Sequence, residues 1–351
     1  MPNNKVICLT GNHHTPAIEL IRQLKQQPQK WQISYLTHSY QTETHIKNTI
    51  IPKLNVSLHL IQCNKFDRQK PLLSIFKTPL LIVGIFQSLL LLKSEKPDIV
   101  VSFGGYVSVP VIIAAWILKI PSITHEQTLT IGLATKINSY FCQKVALSFP
   151  GPDINNKTIV TGNLLRQQIF DTKSKKYQSL ESKIKKSPLI YITGGSQGSQ
   201  FINDLTVSIL PQLSQYTIIH QTGPKPTQTN NKYPNYHQTE YIDLEDIGWV
   251  FHQSSLIVSR AGANICQEIA TLNHQSIIIP HPKTQQDEQI KNAQWLKSRL
   301  PELTTIIPQS KANSSLVTRA IFKHLNSKIK NNKTIAGQTT HPLINLINEM
   351  V

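Results

Sequence analysis

The sequence predicts an α/β protein made of two Rossmann-like, doubly wound domains facing each other across a cleft. Three observations predict this. Short strand-like runs alternate with longer helix-like runs, the order expected of βαβ units on a parallel sheet. The series starts at residue 5 and restarts near residue 188. Glycine or a polar cluster follows five of the strand-like runs, at the strand ends where open α/β sheets bind ligands.

Taken in order, KVICLT (5–10) reads as a strand and TPAIELIRQLKQQ (15–27) as a helix. WQISYLT (31–37) is a strand, and residues 71–94 are mostly apolar and helical. DIVVSF (98–103), VPVIIAAWILK (109–119) and PSITHE (121–126) read as strand, helix and strand. In the second series PLIYITGG (188–195) is a strand running into a glycine turn, and a helix follows from Phe201 to Leu213. TIIHQTG (217–223), YIDL (241–244), LIVSR (256–260) and QSIIIP (275–280) read as further strands. The polar, charged segment 171–187 is the expected junction of the halves, and residues 325–340 are again polar.

The chain has 351 residues, 39% hydrophobic and 16% charged, a globular and not a disordered composition. Its net charge of +17 favours an acidic partner: nucleic acid, an anionic membrane surface or a phosphorylated substrate. No aromatic-rich RNA-binding signature or zinc-finger spacing accompanies the charge, so nucleic acid is not the expected partner. Cys8, Cys63, Cys142 and Cys266 are far apart, with no CxxC, and are expected to be buried thiols in a reducing compartment. The opening MPNNKVICLTGNHH is expected to run straight into a strand, without the apolar stretch of an export leader. No run reaches the 18 or so apolar residues of a membrane span. The apolar run 79–92 is too short to cross a bilayer and is flanked by Arg68, Lys70, Lys77, Lys93 and Lys96. It reads either as a core helix or as a helix resting on anionic headgroups.

The chemistry sits in the turns. TGNHHTPA (10–17), GGYVSVP (104–110), HEQT (125–128), GGSQGS (194–199) and RAGAN (260–264) each follow a strand. In SRAGANICQE (259–268) small residues permit close backbone approach, a helix start offers amides to an anion, and Glu268 can accept from hydroxyls. A phosphate joined to a diol, as in a nucleotide, satisfies all three. GGSQGS does not fit G-x-G-x-x-G, no acid follows about 20 residues on, and no GxxxxGK[ST] is present. A dinucleotide dehydrogenase and a P-loop enzyme are therefore ranked low.

TGNH, SFGGYVSVP, HEQ, TGNLLR (161–166), GGSQGSQFIN (194–203), SRAGANICQE and DEQIKNA (287–293) occur in one order. This set resembles the MurG family, the bacterial transferases that add N-acetylglucosamine to lipid-linked muramyl-pentapeptide. The resemblance spans roughly residues 5 to 296. It implies the GT-B architecture, with residues 1–165 as the acceptor and membrane-side domain and 166–335 as the UDP-sugar domain. Residues 336–351 would return to the first domain. It implies an inverting displacement with UDP-GlcNAc as substrate, no metal and no other cofactor. The implied acceptor is a polyprenyl-diphosphate-linked muramyl-pentapeptide, met at an anionic membrane surface on the cytoplasmic side of the bacterial inner membrane.

By the same resemblance the donor is held by Arg166 near the diphosphate and by the loop Gly194, Gly195, Ser196 and Gln197. Ala263, Asn264 and Ile265 open the nucleotide helix, Glu268 takes the ribose hydroxyls and Gln289 the sugar hydroxyls. The acceptor side comprises Thr10, Gly11 and Asn12, then Gly104, Gly105 and Tyr106, then Gln127 and Thr128. His13 is the implied general base, with Glu126 as a competing base or positioning residue. Three departures stand out. The family's GGTGGH is CLTGNH here, its HEQN is HEQT, and Glu288 stands where His or Gln is usual. Most departures fall on the acceptor side. Two alternatives follow: a UDP-sugar transferase with another lipid acceptor, or a binding paralogue without turnover.

Overall fold

The computed structural model describes residues 4–38, 53–63, 78–195, 197–227, 232–327 and 341–351. The chain divides into two compact units, Met1–Leu164 with Thr339–Val351, and Leu165–Gln338. The polar segment 171–187 lies inside the second unit and is not the junction. Its residues are tied down there: Ser174 Oγ donates to Asp246 Oδ1 at 2.5 Å, and Tyr177 stacks on Trp249.

The first unit is built on seven parallel strands. They are β1 (Lys5–Thr10), β2 (Trp31–His38), β3 (Ser57–Ile61), β4 (Ile99–Ser102), β5 (Ser122–Glu126), β6 (Lys144–Leu147) and β7 (Thr158–Val160). Their order is β3-β2-β1-β4-β5-β6-β7, so the winding reverses between β1 and β4. Among the described residues four helices intervene: α1 (His14–Gln26), α2 (Thr78–Glu95), α3 (Ser108–Ile117) and α4 (Leu133–Phe141). Buried Ala17, Leu20, Ile21 and Leu24 recur at helical spacing and set α1 on the sheet beside Ile7, Leu9 and Tyr35.

The second unit repeats the plan with β8 (Leu189–Thr193), β9 (Thr217–Gln221), β10 (Tyr236–Thr239), β11 (Ser254–Ser259), β12 (Ser276–Ile278) and β13 (Thr304–Ile306). All pairings are parallel, in the order β10-β9-β8-β11-β12-β13. The reversal falls between β8 and β11, which pair Thr193 opposite Ser259. The helices are α5 (Gln200–Ile209), α6 (Leu244–Gln253), α7 (Ala263–Thr271), α8 (Glu288–Arg299) and α9 (Ser314–Leu325). A last helix, α10 (Pro342–Glu349), belongs to the first unit and inserts Leu343, Ile344, Leu346 and Ile347 into its core.

Residues 241–244, expected as a strand, are instead the entry to α6, with Asp243 at its N-cap. The strand that pairs with β9 at that edge is β10, which begins five residues earlier in the sequence than expected. Acidic Glu245 and Asp246 in the first turn of α6 complement the helix dipole, which outweighs the strand-like look of Tyr241 and Ile242.

Candidate functional site

In each unit the motif residues collect at the strand ends beside the winding reversal, where such sheets open their crevice.

In the first unit the turn Gly11–His13 joins β1 to α1, and residues 103–107 join β4 to α3. The two turns touch. Asn12 N donates to Gly104 O at 3.1 Å, and Asn12 packs so tightly on Gly105 that a Cβ there would lie 2.6 Å from its own. The family's glycine at this place is thus replaced by a side chain that fills the gap against the second turn. His13 is exposed, and a Cβ on Gly104 would sit 3.6 Å from its Cδ2, so its ring lies beside that turn. Tyr106 stacks on His38 from the end of β2, with ring centroids 5.6 Å apart. Three polar atoms of the expected acceptor set, Thr10 Oγ1, Asn12 Oδ1 and Gln127 Nε2, are buried without a hydrogen bond from the protein, a condition they share with other buried polar atoms among the described residues. Each of the three can accept or donate one further hydrogen bond.

Glu126, at the end of β5, is buried and saturated. Its Oε1 accepts from Gln127 N (3.1 Å) and Thr128 N (3.3 Å), with Thr128 Oγ1 3.0 Å away. Its Oε2 accepts from Gly132 N (2.9 Å) and Thr135 Oγ1 (2.7 Å). A carboxylate so occupied shapes the 127–135 loop. It has no lone pair left for a substrate proton, and the positioning role suits it better than that of base. Thr128, which stands for the family's Asn, is drawn into the same loop through Thr130 O at 2.6 Å. Next to Glu126, His125 is 1% exposed and donates from Nε2 to Gly162 O at 3.1 Å. Burial pushes its ring down to about 4, against the pull of the Gly162 carbonyl, and His341 and His13 add to the lowering.

In the second unit Arg166 and Glu268 form one bidentate pair. Arg166 Nε donates to Glu268 Oε1 at 2.7 Å and Nη2 to Oε2 at 2.8 Å. Burial works against the charge of Arg166, but the carboxylate outweighs it and raises the guanidinium above its ordinary range. Sequence reading gave the two residues separate tasks, and the fold joins them. Glu268 lies in α7, whose N-cap is Gly262 with no capping side chain. The first helical bond runs from Cys266 N to Gly262 O, so the amides of Ala263, Asn264 and Ile265 lie outside the helix's own bonding. Gly194, Gly195 and the exposed Gln197 form the turn after β8, and Ser196 lies outside the described residues. Gln289, on α8, accepts from His281 N through Oε1 at 2.9 Å, which leaves its Nε2 protons for another acceptor. Its neighbour Asn292 is fully buried and donates to Ala261 O at 3.1 Å, so it ties α8 to the turn before α7.

Two residues that sequence reading missed organise this half. Gln221, at the end of β9, receives Tyr191 Oη (3.2 Å) and Ile242 N (3.4 Å) on Oε1 and donates from Nε2 to Gly195 O (3.1 Å). Arg260 donates to Ser199 Oγ (3.0 Å) and Ile279 O (3.1 Å) and lies over the Phe201 ring, and burial lowers it to about 10. The signal for both was their place at strand ends, in HQTG and SRAG. Among the described residues no group of three or more His, Cys, Asp or Glu side chains is arranged to hold a metal ion.

Comparison with known proteins assigns both units to one family. The glycosyltransferase family 28 N-terminal domain matches residues 7–147, and the family 28 C-terminal domain matches residues 189–349. A Clostridium novyi protein is 32% identical over 99% of both chains, and its name is UDP-N-acetylglucosamine–N-acetylmuramyl-(pentapeptide) pyrophosphoryl-undecaprenol N-acetylglucosamine transferase. A Borreliella burgdorferi protein of the same name is 35% identical over 85% of this chain and 83% of its own. Among solved structures, Acinetobacter baumannii MurG superposes with a TM-score of 0.67 at 24% identity, covering 98% of this chain and 99% of that one. The glycosyltransferase of kitacinnamycin reaches 0.72 at 12% identity over 99% of both chains. These two likenesses are of fold.

Proposed function

Because this chain belongs to glycosyltransferase family 28, we propose that it transfers N-acetylglucosamine from UDP-GlcNAc to a hydroxyl of a lipid-linked N-acetylmuramyl-pentapeptide. One observation carries the reading: the similarity to a transferase of that name runs along 99% of both chains. The acceptor oxygen attacks the anomeric carbon, the bond from that carbon to the diphosphate oxygen breaks, and UDP leaves with the electron pair. The acceptor's proton passes to His13, which is exposed, while Glu126 holds the adjoining loop. Glu268, oriented by Arg166, receives the ribose hydroxyls, and the amides at the start of α7 receive phosphate oxygens. The reaction is read as needing no metal and no organic cofactor.

The acceptor places the chemistry at a membrane, and α2 supports a peripheral one. No helix among the described residues is long and apolar enough to cross a bilayer. One face of α2 is core, with Ser88 and Leu92 buried, but on the other Ile82, Phe86 and Leu90, at i, i+4 and i+8, are 66, 61 and 56% exposed. Lys93 and Lys96 follow, while Arg68, Lys70, Lys77 and residues 71–77 lie outside the described residues. An apolar stripe ending in cations suits an anionic surface, here the cytoplasmic face of the bacterial inner membrane. A second reading keeps the donor and changes the lipid acceptor. It is favoured by Asn12, which fills the space against Gly105.

The test is UDP release from UDP-GlcNAc in buffer containing EDTA, with and without a lipid-linked muramyl-pentapeptide analogue, for the native protein and Glu268→Ala. Acceptor-dependent release that falls at least about a hundredfold in the variant is expected. Release only with another lipid acceptor selects the second reading. UDP binding with no release for any acceptor overturns both.

A further inference from the structure

We propose that His14 and Tyr35 are a positioning pair that fixes the turn Gly11–His13 and thereby aims His13 at the acceptor. The inference rests on the transferase reading for its activity readout and on geometry for the rest. The turn has three residues. It leaves β1 through Gly11, whose φ of +140° and close approach to the Phe103 carbonyl (a Cβ would lie 2.8 Å from Phe103 C) only glycine meets. It ends at His13, the N-cap of α1, which makes no side-chain capping bond. The helix cap therefore does not hold the His13 side chain, and the course of the turn depends on what grips the residues on either side of it.

Tyr35 supplies that constraint from the neighbouring strand. It lies opposite Leu9 in the pairing of β2 with β1 and is fully buried. Its Oη is 3.1 Å from Gly11 O and 2.6 Å from His14 Nδ1, and the two rings meet edge to face with centroids 5.7 Å apart. The proton count decides the roles. Tyr35 has one hydroxyl proton, and Gly11 O can only accept, so that proton goes to Gly11. His14 must then carry a proton on Nδ1 and donate it to Tyr35. The result is a clamp in a dry setting that grips the residue two before His13 and the residue one after it. Hydrogen bonds in such surroundings are stronger than in water and costly to leave half made. His14 has no counterpart in the sequence pattern that points to His13. The chain carries the clamp beside Asn12, the place where it departs from that pattern.

The experiment compares Tyr35→Phe, His14→Leu and His14→Asn in the full chain. Asparagine places an N–H close to where Nδ1 was and should keep the donor. Two readouts are taken: acceptor-dependent kcat with the KM for UDP-GlcNAc, and hydrogen exchange of the peptide covering residues 10–14. Tyr35→Phe and His14→Leu are expected to lower kcat about tenfold with KM for the donor within about twofold. Exchange should rise in residues 10–14 alone, and His14→Asn should recover most of both. Exchange that does not change in Tyr35→Phe overturns the clamp, whatever reaction the protein performs. Exchange that rises while kcat stays within about twofold overturns the link to His13 and leaves the transferase reading standing. If the native protein shows no acceptor-dependent turnover, the transferase reading falls, and exchange alone decides the clamp. A fall in kcat matched by lost UDP affinity and lost stability marks a general structural role and also overturns the proposal.

Discussion

His125 is held neutral by its surroundings, and that has a measurable cost in acid. Its ring is buried, its Nε2 proton is given to Gly162 O, and desolvation takes its pKa from 6.5 to about 4. The unfolded chain therefore binds a proton between those values that the folded chain refuses, so stability rises with pH across the window. The contribution is complete above about pH 6.5 and is lost as pH falls toward 4. We expect the first unit to lose about 2 kcal/mol more between pH 7 and pH 5 in the native protein than in His125→Gln, which keeps a donor near Nε2 and does not titrate. Calorimetry over that range checks it, and parallel curves for the two proteins would refute it. The neighbouring residues show what a sequence reveals at this scale. Glu268 was visible from its strand–helix turn, Glu126 from its strand end, and Arg166 through the resemblance carried by TGNLLR. That Arg166 grips Glu268 across 102 residues, and that Glu126 is consumed by four donors, depends on tertiary placement that no spacing encodes.

At the level of elements, legibility followed length and periodicity. β1, β2, β5 and α1 stood out because five to thirteen residues carry a clear apolar pattern. β6 (KVAL), β7 (TIV), β10 (YHQT) and β13 (TTI) are three or four residues long, and β3 (SLHLI) is five with a polar centre. Such runs offer too few positions for a period to show, and the sheet recruits them through backbone pairing. α2 was legible as a helix but ambiguous in role, because an apolar run looks the same whether core or lipid covers it. The helix buries Ser88 and Leu92 and exposes a stripe of Ile82, Phe86 and Leu90, and the stripe yields a prediction. Ile82→Ser with Phe86→Ser should lower binding to vesicles rich in anionic lipid by at least about tenfold, since each such side chain is worth roughly 1.5–3 kcal/mol when buried. Melting temperature should not fall, because both residues are already in water in the free protein. Sedimentation with vesicles measures the first and calorimetry the second. Unchanged binding would show that α2 is covered by something other than lipid.

The whole molecule is two similar sheets, but the chain does not visit them in a simple sequence. It completes the second unit and then returns to the first with α10. Leu343, Ile344 and Ile347 of that helix are fully buried and Leu346 nearly so, in the same core as Ile7, Leu9 and Ile33. Four buried aliphatic side chains are worth roughly 6–12 kcal/mol in gross transfer free energy, which is comparable to the entire net stability of a domain. The last helix is therefore a condition for the first unit's fold and not an ornament on it. The second unit has its own cores on both faces of its sheet and no contribution from α10 to either. Removal of residues 341–351 should thus abolish the first unit's cooperative calorimetric transition, while a transition that UDP shifts upward persists, because a ligand raises the melting of the unit it binds. Two transitions, each within about 2 °C of the native protein, would show that α10 packs without supporting the first unit. Loss of both would show that the halves, each built around its own switch point, are one cooperative structure.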